Sequence, residues 1–251
     1  MARLEFAFQE FVKEIDLISA LASKYITPDS IHILTQLKNQ LEGIRGARSG
    51  TPFDWGISAE SPLRTRTSRG SYEREGRGSH HVLAKISSIW TIEPLGGHGP
   101  KYSRQRKFAL AGKASTRVRL FEESQSGGQQ EIAMWRMEVA DSTSPGCFFH
   151  VQVLGDTGLP PFPDYLPVPR FPGFLPTPPV VLEFVLGELF QDEWARHASE
   201  ENATTQPWRT MQASRLMRFL RWQQQRLASC SGSPWVALKL LQPAGDLFIK
   251  P

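Results

Sequence analysis

A chain of 251 residues with 40% hydrophobic and 22% charged side chains has the composition of a soluble globular protein long enough to bury a real core. Its net charge of +4 is too small for the whole-molecule field to argue for a polyanionic partner, so local charge must carry that question. Cys147 and Cys230 cannot build a disulfide framework or a four-ligand zinc site, which points to reduced, buried thiols and a cytoplasmic setting.

The N-terminal stretch "MARLEFAFQEF" carries Glu5 and Glu10 inside its apolar pattern, unlike a signal-peptide core, and no run of ~18 apolar residues exists to span a membrane. Leu4, Phe8, Phe11, Ile15, Ile18, Ala22 and Tyr25 recur at helical spacing. Thr27 is placed as an N-cap with Pro28 behind it, and Ile31, Leu34, Leu37, Leu41 and Ile44 mark a second helix. Residues 1–44 therefore read as a helical hairpin. Its stripe serves either core packing or, because it follows a heptad spacing, a homodimer or partner-protein surface.

Residues 45–79 are rich in Gly, Ser, Thr and Arg, with Arg64, Arg66, Arg69, Arg74 and Arg77 among few apolar groups. The expectation is a flexible basic loop or linker. From residue 80 to 251 an α+β core domain is expected. "HHVLAKISSIW" puts Val82, Ala84, Ile86 and Trp90 on one strand face. "KFALAGKASTRVRLF" puts Phe108, Leu110, Ala114, Thr116, Val118 and Leu120 on one face and Lys107, Lys113, Arg117 and Arg119 on the other. "EIAMWRMEVA" and "FFHVQVLG" add two strands, giving an antiparallel meander with one solvated face. Residues 159–179 hold nine prolines with interleaved aromatics and read as an extended strap. Thr177 with Pro178 and Pro179 starts an acidic helix, a second helix begins near Pro207, and "WVALKLL" is expected as a last strand.

Two constellations carry chemistry. Alternation puts Arg136 and Glu138 on one face of their strand, and His150 and Gln152 on one face of the next. An antiparallel pairing that keeps like faces together sets Glu138 opposite His150 and Arg136 opposite Gln152. Arg117 and Arg119 join that face, with Asp141 and Arg170 at its edge. A carboxylate orienting an imidazole, with arginines to stabilise an oxyanion, is the equipment of metal-independent RNA cleavage. The plainer reading is the hydrated side of a sheet. The second constellation is the C-terminal helix. No Asp or Glu falls between Asn202 and Gly245, and Arg215, Arg218 and Arg221 follow at i, i+3 steps. These arginines serve either a nucleic-acid backbone or the acidic helix before them. No HExxH, Walker loop or GxSxG elbow is present, and the adjacent His80 and His81 point to opposite strand faces. No metal site and no cofactor is expected.

The order "WRMEV", "SPGCFFHVQV", "VPRFP" and "LEFVLGELF" resembles, over about residues 131–190, small prokaryotic families of toxin–antitoxin and defence loci, including TumE-like toxins. The resemblance implies a bacterial, cytosolic, phage-defence setting. The combined expectation is an α+β fold: an antiparallel sheet of four to five strands, an N-terminal helical hairpin and two C-terminal helices. Its function would be that of a nucleic-acid-interacting component of a prokaryotic defence or toxin–antitoxin module. Glu138, His150 and Arg136 are the candidate catalytic groups. Arg117, Arg119, Arg170, Arg215, Arg218 and Arg221 are the candidate contacts to RNA or DNA. The alternative is a non-catalytic adaptor that holds a protein partner.

Overall fold

A computed structural model describes residues 3–69, 81–96, 106–124, 126–140, 147–154, 170–175, 177–234, 237, 243 and 245–249. Nine strands and four α-helices are found among them. The strands are β1 (Glu5–Ala7), β2 (Phe53–Ile57), β3 (Leu63–Arg64), β4 (Ser68–Arg69), β5 (His81–Leu95), β6 (Lys107–Glu123), β7 (Gln129–Val139), β8 (Phe149–Leu154) and β9 (Arg170–Pro172). The helices are α1 (Phe8–Ala22), α2 (Pro28–Gly46), α3 (Pro178–Ser199) and α4 (Thr205–Ala228). One antiparallel sheet runs β2-β5-β6-β7-β8-β9, and the α+β class is as the sequence implies, with more strands than expected. No described helix is long and apolar enough to cross a membrane.

The meander β5–β8 follows from the alternation. Val82, Ala84, Ile86 and Trp90 of β5, Ala114 and Val118 of β6, Met137 and Val139 of β7 and Phe149 of β8 are buried in one core with residues from all four helices. In register, each strand's apolar parity meets its neighbour's: Val118 pairs with Ile86 and Trp135, and Val151 with Met137. The helices therefore cover one face of the sheet.

Three expectations are corrected. The first turn of the N-terminal stripe is not helix. Glu5–Ala7 forms β1 and pairs with Lys107–Ala109 of β6. The reason lies in strand length: β7 covers β6 only over Ala114–Glu123, leaving an open edge that β1 closes. Within residues 45–79, the described part is not a free loop. β2, β3 and β4 successively pair along β5. Trp55, Ile57 and Leu63 are buried, and Trp55 Nε1 donates to the Leu37 carbonyl at 2.9 Å, so a few large side chains outweigh a loop-like composition. Arg74 and Arg77 lie outside the described residues, as does most of "WVALKLL" and of the proline-rich strap. The described end of that strap supplies β9. Finally, the α1 stripe is spent inside the molecule: Phe11, Ile15, Ile18 and Ala22 are at most 1% exposed.

Both expected helix starts fall where the capping residues put them, but only one makes its capping bond. Thr177 Oγ1 accepts from the Val180 N–H at 3.3 Å and opens α3 as the Thr-Pro-Pro sequence predicts. Thr27 occupies the N-cap of α2 but makes no capping bond there. Its hydroxyl contacts Ser30 Oγ, and Ser30 in turn exchanges hydrogen bonds with the Arg64 backbone, tying α2 to β3. Gly56 is required by close approach: a Cβ there would lie 2.1 Å from the Ser88 carbonyl oxygen of β5.

Candidate nucleic-acid interface on the helix-free face

The polar residues of the meander collect on the face opposite the helices. Pairing in register makes a row Ser87–Arg117–Arg136–Gln152–Arg170 across β5 to β9. The adjacent row is Ile89–Ser115–Glu138–His150–Pro172. Glu138 thus stands opposite His150 and Arg136 opposite Gln152, the register that the alternation demands. A third row brings Arg64, Lys85 and Arg119 together.

His150 is buried, with its side chain 2% exposed. Its Nδ1 lies 2.8 Å from the Cys147 carbonyl oxygen. A carbonyl only accepts, so Nδ1 carries a proton and donates. Nε2 is then aimed at Glu138 Oε2, 3.5 Å away, an ion-pair distance but a long hydrogen bond. Burial pushes the Glu138 carboxyl up. Hydrogen bonds from His150 and Ser115 and the charges of Arg136 and His150 outweigh it and hold the group at about 2, so it is ionised at neutral pH. Arg136 reaches both partners: Nη2 donates to Gln152 Oε1 at 2.6 Å, and Nε lies 3.7 Å from Glu138 Oε1. Sequence reasoning assembled this cluster correctly. It did not foresee that both imidazole nitrogens would be turned toward protein groups.

Around the cluster, cations dominate the centre of the face. Arg64, Lys113 and Arg117 are exposed. Arg119 donates through Nε to Glu131 at 2.8 Å and keeps 42% of its side chain in solvent. Lys85 sits 4.0 Å above the Phe121 ring. Desolvation, then the charges of Arg64 and Arg119, hold the Lys85 ammonium below its ordinary value against the pull of Glu131 and Glu123. Like charges are crowded here. Beside Arg117 and Lys113 a groove of about 460 Å³ runs along β5 between β2 and β6, lined also by Ser87, Ser88 and Gly56, by the acidic Asp54 and Glu60, and at its edge by Gln40 of α2. Lys85 is the contributor to this face that the sequence reading passed over; its parity with Ser87 on β5 was the available signal.

The arginines of α4 do not join this surface. α4 packs on the helical side, where Phe219 and Trp222 meet Phe149 from the core face of β8. Arg215 is not a surface contact at all. It is buried, its Nη1 lies 2.5 Å from Glu14 Oε1 of α1, and its guanidinium stands over the Phe11 ring. The acidic α3 is not its partner; the α3 carboxylate that reaches α4, Glu183, accepts from Trp208 Nε1 at 2.7 Å. Arg218 and Arg221 are half-buried and exposed, respectively, near Asp246. The side chain of Arg170 and the whole of Asp141 lie outside what the structure describes. Cys147 is buried as expected, whereas Cys230 is half-exposed. Among the described residues no three His, Cys, Asp or Glu side chains are placed to hold a metal ion.

No known protein family, no curated protein and no solved structure matches this chain.

Proposed function

We propose that the helix-free face of the sheet binds the phosphate backbone of a nucleic acid, with single-stranded RNA as the first candidate. The observation that carries this reading is the crowding of Arg64, Lys85, Lys113, Arg117, Arg119 and Arg136 on the centre of one face, where Glu123, Glu131 and Glu138, with Asp54 and Glu60 in the neighbouring groove, offset them only in part. Phosphates neutralise such a surface and release counterions. The aromatic ring on this face, Phe121, lies under Lys85 and Arg119, so backbone charge rather than base stacking supplies the contact.

Binding without cleavage is the form of the reading that the geometry favours. To act as a general base or acid, an imidazole must present a nitrogen to the substrate. His150 is 2% exposed and directs its nitrogens to Cys147 and Glu138. The trio His150, Glu138 and Arg136 braces the β7–β8 pair beneath the cationic surface. We set this binding within a prokaryotic defence module on the strength of the resemblance of about residues 131–190 to toxin–antitoxin and defence families. The adaptor alternative through the N-terminal helices is less favoured, because their apolar stripe, Ile31 excepted, is already buried.

Fluorescence anisotropy of a labelled oligouridylate tests the assignment. The double substitution Arg117→Glu with Lys113→Glu is expected to weaken binding by more than about tenfold, a loss of about 1.4 kcal/mol or more. Arg218→Glu with Arg221→Glu, on the opposite side, is expected to leave it unchanged. The reverse ranking would move the interface to α4. Incubating the same RNA with wild type and His150→Ala checks for cleavage, and scission that depends on His150 would restore the ribonuclease reading.

A further inference from the structure

A second concavity, on the helical side, has different chemistry. It encloses about 360 Å³ between α3, α4 and the chain at Phe174–Leu175, and its walls include Phe184, Leu216, Phe219 and Phe248. That volume suits a small organic ligand, and the walls are mostly aromatic and aliphatic. The lining carries two charged side chains, Glu183 and Arg215. They are not each other's partners. Arg215 is committed to Glu14, which is fully buried and whose Oε1 also accepts from Thr177 and Gln212 at 3.0 Å each. Glu183 is served by a neutral donor, the Trp208 indole N–H.

Glu14 does not line the cavity but bonds two residues that do, Arg215 and Gln212, so with Glu183 two carboxylates stand against one guanidinium. Desolvation pushes the Glu183 carboxyl up, the Trp208 hydrogen bond opposes this, and the negative charge of Glu14 adds to it. Such an environment disfavours the unpaired anion and rewards a countercharge. We infer that this cavity binds a small organic cation, with an apolar or aromatic body against Phe174, Phe184, Phe219 and Phe248 and a protonated amine paired with Glu183. An anionic ligand would meet Glu183 with Arg215 already neutralised. A neutral one would leave the carboxylate without a counterion. The surrounding rings add attraction for an ammonium group. Access is open at the rim, where Phe184 is 36% and Leu216 49% exposed.

Isothermal titration with phenylbutylamine, phenylbutanol and phenylbutyrate separates these cases, because the three share one body and differ in the head group. The amine is expected to bind at least about tenfold more tightly than the other two. Glu183→Gln keeps an acceptor for Trp208 but removes the charge, and should abolish that preference. Ala213→Trp, at the exposed rim, should block all three while circular dichroism stays unchanged. Equal affinity for the alcohol, preference for the carboxylate, undetectable binding of the amine, or binding that survives Ala213→Trp would each overturn the assignment.

Discussion

Glu138 links the stability of the β7–β8 pair to pH. Its carboxyl titrates at about 2 in the fold against an ordinary value of 4.5. A carboxyl with a depressed folded value stabilises fully above its unfolded value and loses that contribution as the pH falls through the folded one. The window is therefore between about pH 4.5 and 2. Urea midpoints measured across that range should fall for wild type, and should fall less steeply for Glu138→Gln. Glu14 and Arg215 make the stronger residue-scale claim, because both are buried. Removing one partner leaves a charge in the core: Arg215→Met should cost about 3–5 kcal/mol by urea denaturation, while Glu14→Met with Arg215→Met should recover most of it. Equal losses for the single and double variants would show that packing, not charge, is what the pair supplies. The register of Glu138 with His150 was legible from residue parity alone. The Glu14–Arg215 pair was not, although Glu14 falls three residues after Phe11, on the border of the buried stripe. A lone carboxylate there gives no hint of which distant cation completes it.

At the scale of elements, regular periodicity and cap chemistry were readable, and pairing along strand edges was not. The four meander strands announce themselves by alternation, and α3 by Thr177 with two prolines. β1 and β2 to β4 are short and gain their identity from the open edges of β6 and β5, which no local window contains. Gly56 shows how tightly such an edge strand is fitted. Gly56→Ala would drive a methyl group into the Ser88 carbonyl, so it should destabilise the protein by about 2 kcal/mol or more. Hydrogen exchange should then report lost protection at Phe53–Ile57 before the rest of the sheet; unchanged protection and stability would mean that β2 shifts without cost.

The molecule as a whole is two-sided. All four helices pack on one face of the sheet, and the cations of β3, β5, β6 and β7 gather on the other. From sequence, the arginines of the sheet and those of α4 are two separate candidate contacts to a nucleic acid, with α4 open to pairing with the acidic helix instead. The fold separates them and buries Arg215, because α4 docks through Phe219 and Trp222 onto the core face of β8. Layering of this kind depends on which helix faces meet which strand faces, information spread over the whole chain. The two proposals fall on opposite sides of this layering, phosphate on the open sheet and an organic cation between α3 and α4. The most direct measurement is the salt dependence of oligouridylate binding. If the open face neutralises about three or four phosphates, log K against log salt should fall with a slope of roughly −2 to −3 for a single strand, and Arg117→Gln with Lys113→Gln should make it shallower by about 1.4. A slope near zero, or one that the double substitution leaves unchanged, would contradict the assignment of this face to nucleic acid.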